Sequence, residues 1–405
     1  MELPTLFFVN NRAKLRQLFR GTAPIVLSAN SLIQSSGDMT YRFRQDANFF
    51  YFTGLDISGA VLVIDKDREY LILEPKTKYT DIEIGVIENK DLSQRSGIAE
   101  ILTSDEGWRK LSGRLKRAKH AATIPAPPGF IAELGFFTNP GRAKVLARIK
   151  EINSEIEFLD LTPHVIKIRS IKQAIELDSI KTAIKITETA LTQVKRRLKS
   201  LNSENEIEAM ILSSFRSQNA WPSFDTVVAS GKNACAIHYT QNSQLLGDQQ
   251  LVVIDVGAEV NRYAADITRT FSIGLPKKRQ KQVYQAVVSV SEYATSLLKP
   301  GVILKDYEKQ VADFMGEQLR VLGLIKTIDD KSVRKYFPHL TSHFLGLESH
   351  DLGDYSQPLK TGMVITVEPG VYIPEEEIGV RLENDILITD TGHTNLSTSL
   401  PLSLG

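Results

Sequence analysis

The stretch Leu251–Phe271, LVVIDVGAEVNRYAADITRTF, places two acidic residues within what otherwise reads as a pair of apolar strands. Asp255 directly follows a Val-Val-Ile run, and Asp266 lies in the second strand. If the strands form a hairpin centred between Val260 and Asn261, the two aspartates face each other across the ladder. The pattern therefore predicts an antiparallel pair of strands that carries two facing carboxylates.

A second stretch repeats this pattern closer to the C-terminus. Met363–Thr389 reads MVITVEPGVYIPEEEIGVRLENDILIT, and a hairpin centred on Glu375 and Glu376 sets Glu368 opposite Glu383. Two helical segments precede each of the two hairpins. The second half of the chain thus contains a rough internal repeat, and each copy of the repeat carries one pair of carboxylates.

Four carboxylates that are buried close together cannot all stay ionised unaided, because desolvation and mutual repulsion favour their protonation. Two divalent cations would neutralise them; the plainer alternative is that each acid pairs with an arginine such as Arg269 or Arg381. Between the hairpins lie three of the seven histidines of the chain, His339, His343 and His350. One of them would complete a shell of oxygen ligands and one nitrogen, which suits Mn, Co or Fe better than a structural zinc site with cysteine ligands.

The composition is that of a globular protein without a strong charge bias. A length of 405 residues is too great for one ordinary core and indicates two domains. The 49 Lys and Arg against 48 Asp and Glu leave a formal net charge of +1, so no global field favours nucleic acid or a membrane as a partner. One cysteine, the lack of a signal peptide and the lack of a long apolar run predict a cytoplasmic protein.

Strand-like and helical patterns alternate in the first part of the chain, which predicts an α/β unit. After EIEFLDLTPHVIKIRS the pattern changes to a long helical stretch, so a domain boundary is expected near residue 170. The basic segment WRKLSGRLKRAKH carries Trp108, Leu111 and Leu115 at helical spacing, which is typical of a solvated helix with one buried face. The expected fold class is α/β, or α+β, in two domains.

The motifs of the second half resemble one family of metallopeptidases. FDTVVASGKNACAIHYTQN, VVIDVGAEVNRYAADITRTF, PHLTSHFLGLESHDLG, GMVITVEPGVYI and IGVRLENDILIT occur in the order found in Xaa-Pro aminopeptidases (aminopeptidase P), prolidases and methionine aminopeptidases. The resemblance implies that residues 171–405 adopt the pita-bread fold, with pseudo-twofold halves of helices and antiparallel sheet. It also implies two divalent ions per subunit, foremost Mn²⁺, with Co²⁺, Zn²⁺ or Fe²⁺ as alternatives. The implied ligands are Asp255, Asp266, His343, Glu368 and Glu383.

Further residues of these motifs resemble the catalytic and substrate-side groups of the family. The implied catalytic residues are His238, His350, Glu368 and Arg381. The implied substrate-binding residues are His238, His339, His350, Tyr372 and Asp38. Glu368 is expected to transfer protons as well as to bind metal, and His350 to bind the oxyanion of the substrate.

The N-terminal part of the chain narrows the choice within the family. Residues 41–65, YRFRQDANFFYFTGLDISGAVLVID, resemble the N-terminal domain of aminopeptidase P, which methionine aminopeptidases lack. Residues 1–170 are therefore expected to form a wall of the substrate cleft and to take part in oligomerisation. Residues 76–91 depart from the family, which often carries a Trp-containing, Arg-rich stretch there.

The implied activity is the release of the first residue from peptides with proline in the second position, by a hydroxide that bridges two metals. Two alternatives stay open: a prolidase, which cleaves only Xaa-Pro dipeptides, and a pita-bread module that binds peptides without catalysis. The resemblance also implies a homodimer or homotetramer, in which Asp38 of a neighbouring N-terminal domain could meet the substrate amine.

Overall fold

The computed structural model describes residues 2–66, 68–75, 88–124, 135 and 137–404. The chain divides into two compact units, Met1–Ile168 and Arg169–Gly405. Residues 76–87, most of the stretch that departs from the family, lie outside the described residues. The roles expected of the two domains stay predictions.

The first unit is built on a mixed six-stranded sheet. The described part of the unit contains eight strands, six of which form this sheet: β1 (Ile25–Ser28), β2 (Gln34–Ser36), β3 (Met39–Thr40), β4 (Val61–Asp65), β5 (Arg68–Ile72), β6 (Glu100–Leu102), β7 (His120–Thr123) and β8 (Glu157–Asp160). The sheet order is β6-β5-β4-β1-β7-β8, while β2 and β3 form a separate hairpin. The helices in the described part of the unit are α1 (Thr5–Leu18), α2 (Ala47–Thr53), α3 (Asn89–Ser96), α4 (Ser104–Leu115), α5 (Gly141–Ile152) and α6 (Thr162–Arg169).

The basic segment of the first unit forms a helix with one buried face. α4 begins with a capping box, in which Thr103 and Glu106 satisfy each other's backbone N–H groups. Trp108, Leu111 and Leu115 are buried in the core of the unit, as their spacing predicts.

The second unit contains two successive sets of helices and strands. Its first set comprises α7 (Ala174–Arg197), α8 (Glu204–Ser217), β9 (Trp221–Pro222), β10 (Val227–Ser230), β11 (Leu251–Val256), β12 (Ala258–Val260), β13 (Tyr263–Ala264) and β14 (Ile267–Ser272). The second set comprises α9 (Lys278–Ser296), α10 (Leu304–Val321), α11 (Asp330–Tyr336), β15 (Val364–Val367), β16 (Gly370–Ile373), β17 (Ile378–Arg381), β18 (Asn384–Ile388) and β19 (His393–Asn395). The rough internal repeat in the sequence thus corresponds to two successive sets of helices followed by strands.

All strand pairs of the second unit are antiparallel in its described part. β10-β11-β14 and β15-β18-β19 each form a three-stranded sheet, and β16 and β17 form a two-stranded ladder. The apolar faces of α9 and α10 pack with residues of β15 to β18 in one core. This core holds the strands that flank Glu368 and Glu383.

Among the helices in the described ranges, none combines the length and the apolar character that crossing a bilayer requires.

Candidate metal centre

The first pair of acidic residues lies where β11 and β14 run side by side. Asp255 is in β11, and Asp266 directly precedes β14. Asp255 pairs with Thr268 in the ladder, so the predicted pairing with Asp266 is wrong by two residues. The turn is formed by Asn261 and Arg262, with positive φ angles of 52° and 70°, one position later than predicted. A shift by two residues keeps the same strand face, and the charges of the two aspartates still interact.

The second pair of acidic residues has the predicted register. Gly370 pairs with Arg381 in one ladder, and Val367 pairs with Asn384 in the next. Glu368 and its partner Glu383 lie between these two ladders and therefore oppose each other. The Glu383 side chain is 2% exposed and the Glu368 side chain is 16% exposed, so Glu368 is the member of the pair that a substrate can reach.

His343 brings a nitrogen into this group of carboxylates. Its Nε2 atom lies 3.3 Å from Oε1 of Glu368, 3.7 Å from Oδ2 of Asp266 and 3.9 Å from Oε1 of Glu383. Its Nδ1 atom lies 3.2 Å from the Phe344 carbonyl oxygen, which can only accept a hydrogen bond. Burial lowers the pKa of His343 to about 4, so the ring is neutral at pH 7 and carries its one proton on Nδ1.

The atoms that meet at this point are therefore all acceptors when the acids are ionised. A lone pair on Nε2 faces carboxylate oxygens, and one ligand atom from each of Asp266, His343 and Glu383 lies within 4.8 Å of the others. Burial first, and then the charges of neighbouring carboxylates, raise the pKa of Asp266 and of Glu383 well above the usual range. Burial and the charge of Asp255 raise that of Glu368 despite nearby Arg381. Divalent cations satisfy such a set of oxygen and nitrogen donors, so the residues fit a metal site.

Pairing with arginine accounts for only one of these acids. Arg381 donates from Nη2 to Oδ2 of Asp255 at 2.8 Å, while Oδ1 of Asp255 is buried and accepts no hydrogen bond from the described residues. Arg269 instead donates to backbone carbonyls, including that of Glu383, and to the side chain of Asn384. The arginine alternative therefore leaves three of the four acids without a charged partner of opposite sign among these two arginines.

Two polar residues beside the acids escaped the sequence analysis. The fully buried Thr268 donates its hydroxyl proton to Oε2 of Glu383 at 2.7 Å. Asp385 is also fully buried, and its Oδ2 accepts the backbone N–H of Asp266 at 3.2 Å. Asp385 follows Glu383 by two positions, so strand alternation was a signal for it. Thr268 likewise follows Asp266 by two positions, but alternation predicts only the strand face and not the contact with Glu383, which joins two different hairpins.

Arg381, Tyr372 and His339 form a hydrogen-bonded chain at the edge of the acidic group. Arg381 donates from Nη1 to the Tyr372 hydroxyl at 2.8 Å, and that hydroxyl lies 2.9 Å from Nε2 of His339. Nδ1 of His339 faces the Leu340 carbonyl, so Nε2 is the acceptor and Tyr372 donates to it. Burial, followed by the charge of Arg381, lowers the pKa of His339 to about 3. The chain therefore holds a neutral imidazole in one orientation.

Two exposed histidines flank the same site. The ring of His350 stacks on that of His343 with centroids 3.8 Å apart. Although part of the residue is exposed, the imidazole of His350 loses water where it packs on His343, and this desolvation, followed by the charges of His343 and His238, lowers its pKa to about 3. His238 is joined to the site by its neighbour in sequence, because Arg381 donates from Nη2 to the Ile237 carbonyl at 3.4 Å. His238, His339 and His350 thus lie beside the acidic group, and their expected contacts with the substrate stay predictions.

Asp38 belongs to the first unit and is exposed in the turn between β2 and β3. Its expected contact with a substrate amine stays a prediction.

Comparisons with known proteins cover both units. The sequence profile of metallopeptidase family M24 matches residues 178–390, and that of the aminopeptidase P N-terminal domain matches residues 8–124. An Xaa-Pro aminopeptidase of Escherichia coli is 32% identical over 96% of this chain and 93% of its own length. One from Haemophilus influenzae is 30% identical over 99% of this chain and 96% of its own. The structure of aminopeptidase P from E. coli with the inhibitor Pro-Leu has a TM-score of 0.85 and 29% identity, with 99% of this chain and 96% of that chain covered.

These matches confirm the expected fold, an aminopeptidase P type N-terminal domain followed by a pita-bread domain. They also make the protein a metallo-exopeptidase, since its full-length relatives are Xaa-Pro aminopeptidases, and Asp266, His343 and Glu383 form a candidate metal cluster. The chain belongs to metallopeptidase family M24, among the Xaa-Pro aminopeptidases that carry an aminopeptidase P N-terminal domain.

Proposed function

We propose that the protein is a two-metal Xaa-Pro aminopeptidase, which releases the first residue from peptides with proline in the second position. The observation that carries the proposal is the meeting of Nε2 of His343 with oxygens of Asp266, Glu368 and Glu383, all of them acceptors. The proposed ligands of two divalent ions are Asp255, Asp266, His343, Glu368 and Glu383. Mn²⁺ is the proposed ion, because oxygen ligands with a single imidazole suit a hard or borderline cation.

When bound, such ions would polarise the scissile carbonyl group as Lewis acids and would lower the pKa of the attacking water. The water would then be available as the hydroxide that the family resemblance implies. Glu368 is the proposed proton carrier, because it is the more accessible member of its pair. It accepts the proton of the attacking water and delivers it to the proline nitrogen as the amide bond breaks.

The histidines are proposed to bind the substrate around the scissile bond. Neutral His350 is exposed above His343 and donates a hydrogen bond to the developing oxyanion. His238 contacts the peptide backbone on the other side. Arg381 donates hydrogen bonds to both Asp255 and Tyr372, so it holds a proposed metal ligand and a proposed substrate-binding residue in a fixed relative position.

Specificity for proline follows from what an Xaa-Pro bond lacks. Its nitrogen has no proton, so a site that depends on a backbone N–H donor rejects it, and its ring needs an apolar cavity. His339 and Tyr372 present ring faces at the edge of the site and are proposed to contact the proline ring. The E. coli relative was solved with Pro-Leu, the fragment that removal of the first residue from an Xaa-Pro-Leu tripeptide would leave.

The assembly and location of the protein are also proposals. A homodimer or homotetramer would allow the exposed Asp38 of one subunit to meet the substrate amine in another. A net charge of +1 and a single cysteine support a cytoplasmic location without a nucleic-acid or membrane partner.

The test compares an Xaa-Pro-Leu tripeptide with the corresponding Xaa-Pro dipeptide, using metal-stripped protein with and without added Mn²⁺. We expect Mn²⁺-dependent release of the first residue and of Pro-Leu from the tripeptide. Activity on the dipeptide alone would make the protein a prolidase, and no turnover of either with Mn²⁺, Co²⁺ or Zn²⁺ would contradict the proposal. Glu368→Gln should abolish turnover, whereas Glu377→Gln, at the exposed tip of the same hairpin, should not.

A further inference from the structure

A buried glutamate outside the metal centre organises one of the loops around it. Glu204 is the first residue of α8, and its side chain is fully buried. It accepts five hydrogen bonds, all from residues 230–244. A carboxylate that accepts this many hydrogen bonds from one segment holds the segment more firmly than a neutral acceptor would, because hydrogen bonds to a charged group are stronger.

The five bonds use both oxygens of the carboxylate. Oε1 accepts from the backbone N–H of Ser230 at 2.7 Å, from the Ser230 hydroxyl at 2.8 Å and from Nδ2 of Asn233 at 3.3 Å. Oε2 accepts from the Tyr239 hydroxyl at 3.0 Å and from the backbone N–H of Gln244 at 2.9 Å. The backbone N–H of Glu204 also donates to the Gln244 carbonyl, so the two ends of the loop are tied to the start of α8.

His238 lies inside this segment, between two anchored neighbours. On one side, Arg381 of the metal centre donates to the Ile237 carbonyl. On the other side, the Tyr239 hydroxyl donates to Glu204. The exposed imidazole is thus carried by a loop that is fixed to the metal centre at residue 237 and to α8 at residue 239.

We propose that Glu204 is a positioning residue for His238, which acts on catalysis only through the placement of that histidine. The inference rests on the proposed function, because it needs His238 to contact the substrate. Nothing shorter or neutral replaces the carboxylate: a glutamine would present an NH₂ group to one set of donors, either those at Ser230 and Asn233 or those at Tyr239 and Gln244.

The experiment is a double-mutant cycle on tripeptide hydrolysis with Glu204→Gln, His238→Ala and the double variant, all loaded with Mn²⁺. Each single variant should lower kcat/KM by about 10-fold or more, because His238→Ala removes the proposed substrate contact and Glu204→Gln misplaces it. In the His238→Ala background, Glu204→Gln should change kcat/KM by less than about twofold, because a residue that acts through another has nothing left to position. Bound Mn²⁺ per chain should stay at the wild-type value.

A second readout follows the loop itself. Glu204→Gln should speed hydrogen exchange at the backbone amides of residues 230–244 and leave the His343 segment unchanged. The matched control is Glu208→Gln on the same helix, which should alter neither kinetics nor exchange. If Glu204→Gln does not fold, Tyr239→Phe removes one of the five bonds and should show a smaller loss that again vanishes in the His238→Ala background.

The outcomes separate the inference from the proposed function. Additive losses in the double variant, or a loss of bound Mn²⁺ in Glu204→Gln, would overturn the positioning role and leave the proposed function standing. Unchanged kinetics of His238→Ala on the tripeptide would overturn both the proposed role of His238 and the inference. A wild-type protein without activity on Xaa-Pro-Leu would contradict the proposed function first.

Discussion

Nε2 of His343 lies 3.3 Å from Oε1 of Glu368, with both atoms placed as hydrogen-bond acceptors. Two lone pairs at that distance repel unless a proton or a cation lies with them. Without metal, the raised pKa of Glu368, Asp266 and Glu383 supplies the proton, since burial and mutual repulsion keep these carboxyl groups neutral. Metal binding replaces those protons, so protons and metal compete for the site.

The metal-free protein should therefore lose stability as the pH rises. Below about pH 7 the lowered pKa values of His339, His343 and His350 oppose this effect, because the unfolded chain then binds protons that these buried rings do not. Above about pH 7 the histidines are neutral in both states, while the raised pKa values of Asp266, Glu368 and Glu383 let the folded protein keep protons that the unfolded chain has lost, so the free energy of unfolding falls with increasing pH. The unfolding midpoint of the metal-free protein should therefore fall between pH 7 and pH 9. Thermal scans in a chelator check this, and saturating Mn²⁺ should remove the fall. A metal-free midpoint that stays constant or rises over this range would contradict the assignment.

Thr268→Val should weaken metal binding without unfolding the protein. The variant removes the hydroxyl group that donates to Oε2 of Glu383 and keeps the shape of the side chain. Outer groups that orient a metal ligand commonly contribute about 10- to 100-fold in affinity, so the dissociation constant of Mn²⁺ should rise within that range. Calorimetric titration of the metal-free variant measures it. Thr226→Val is the control, because the Thr226 hydroxyl is buried but makes no hydrogen bond to the described residues. Equal Mn²⁺ affinities of the two variants would count against the role of Thr268.

Tyr372→Phe should lower kcat/KM for the tripeptide by about 10-fold, because it cuts the chain from Arg381 to His339 and leaves a buried guanidinium donor unpaired. Metal content should stay at the wild-type level, since Arg381 keeps its bond to Asp255. The matched control is Tyr284→Phe, whose hydroxyl has no partner in the described part of the chain. Indistinguishable kinetics for the two variants would mean that the chain has no catalytic consequence.

Glu308→Gln should loosen the segment between His339 and His343. Its two carboxylate oxygens accept the backbone N–H groups of Thr341 and Ser342 at 2.8 and 2.9 Å, so a glutamine loses one of these bonds. We expect Mn²⁺ affinity to fall by about 10-fold. The exposed Glu317 on the same helix, changed to Gln, serves as the control, and unchanged affinity in Glu308→Gln would contradict the expectation.

The two hairpins differ in how well their register could be predicted. Counting outward from Glu375 and Glu376 gave the correct partner for Glu368, because the pairing continues without a shift through both ladders. The same counting failed for Asp255 because the turn uses Arg262 at a φ of 70°, a conformation that an arginine rarely adopts and its sequence does not signal. The error was two residues, so the predicted face of the strand was right.

The residues that support the site could not be predicted, since their partners are distant in sequence. Thr268 contacts Glu383 across 115 residues, and Glu204 contacts a loop that begins 26 residues later. Tertiary packing brings these groups together, and no periodicity in the sequence encodes it. The four acids could be singled out because their chemistry is out of place in apolar strands, whereas the choice of His343 as a ligand and of His238 and His350 as substrate-side residues rests on the family resemblance.

The central claim, that five side chains hold two divalent ions, is tested most directly by titrating metal-free protein with Mn²⁺ in a calorimeter while hydrolysis of Xaa-Pro-Leu is followed in parallel. We predict two ions bound per chain, full activity only after the second, and loss of binding at one or both positions in Glu383→Gln. Saturation at one ion per chain with full activity, or undiminished hydrolysis after complete removal of metal, would contradict the account.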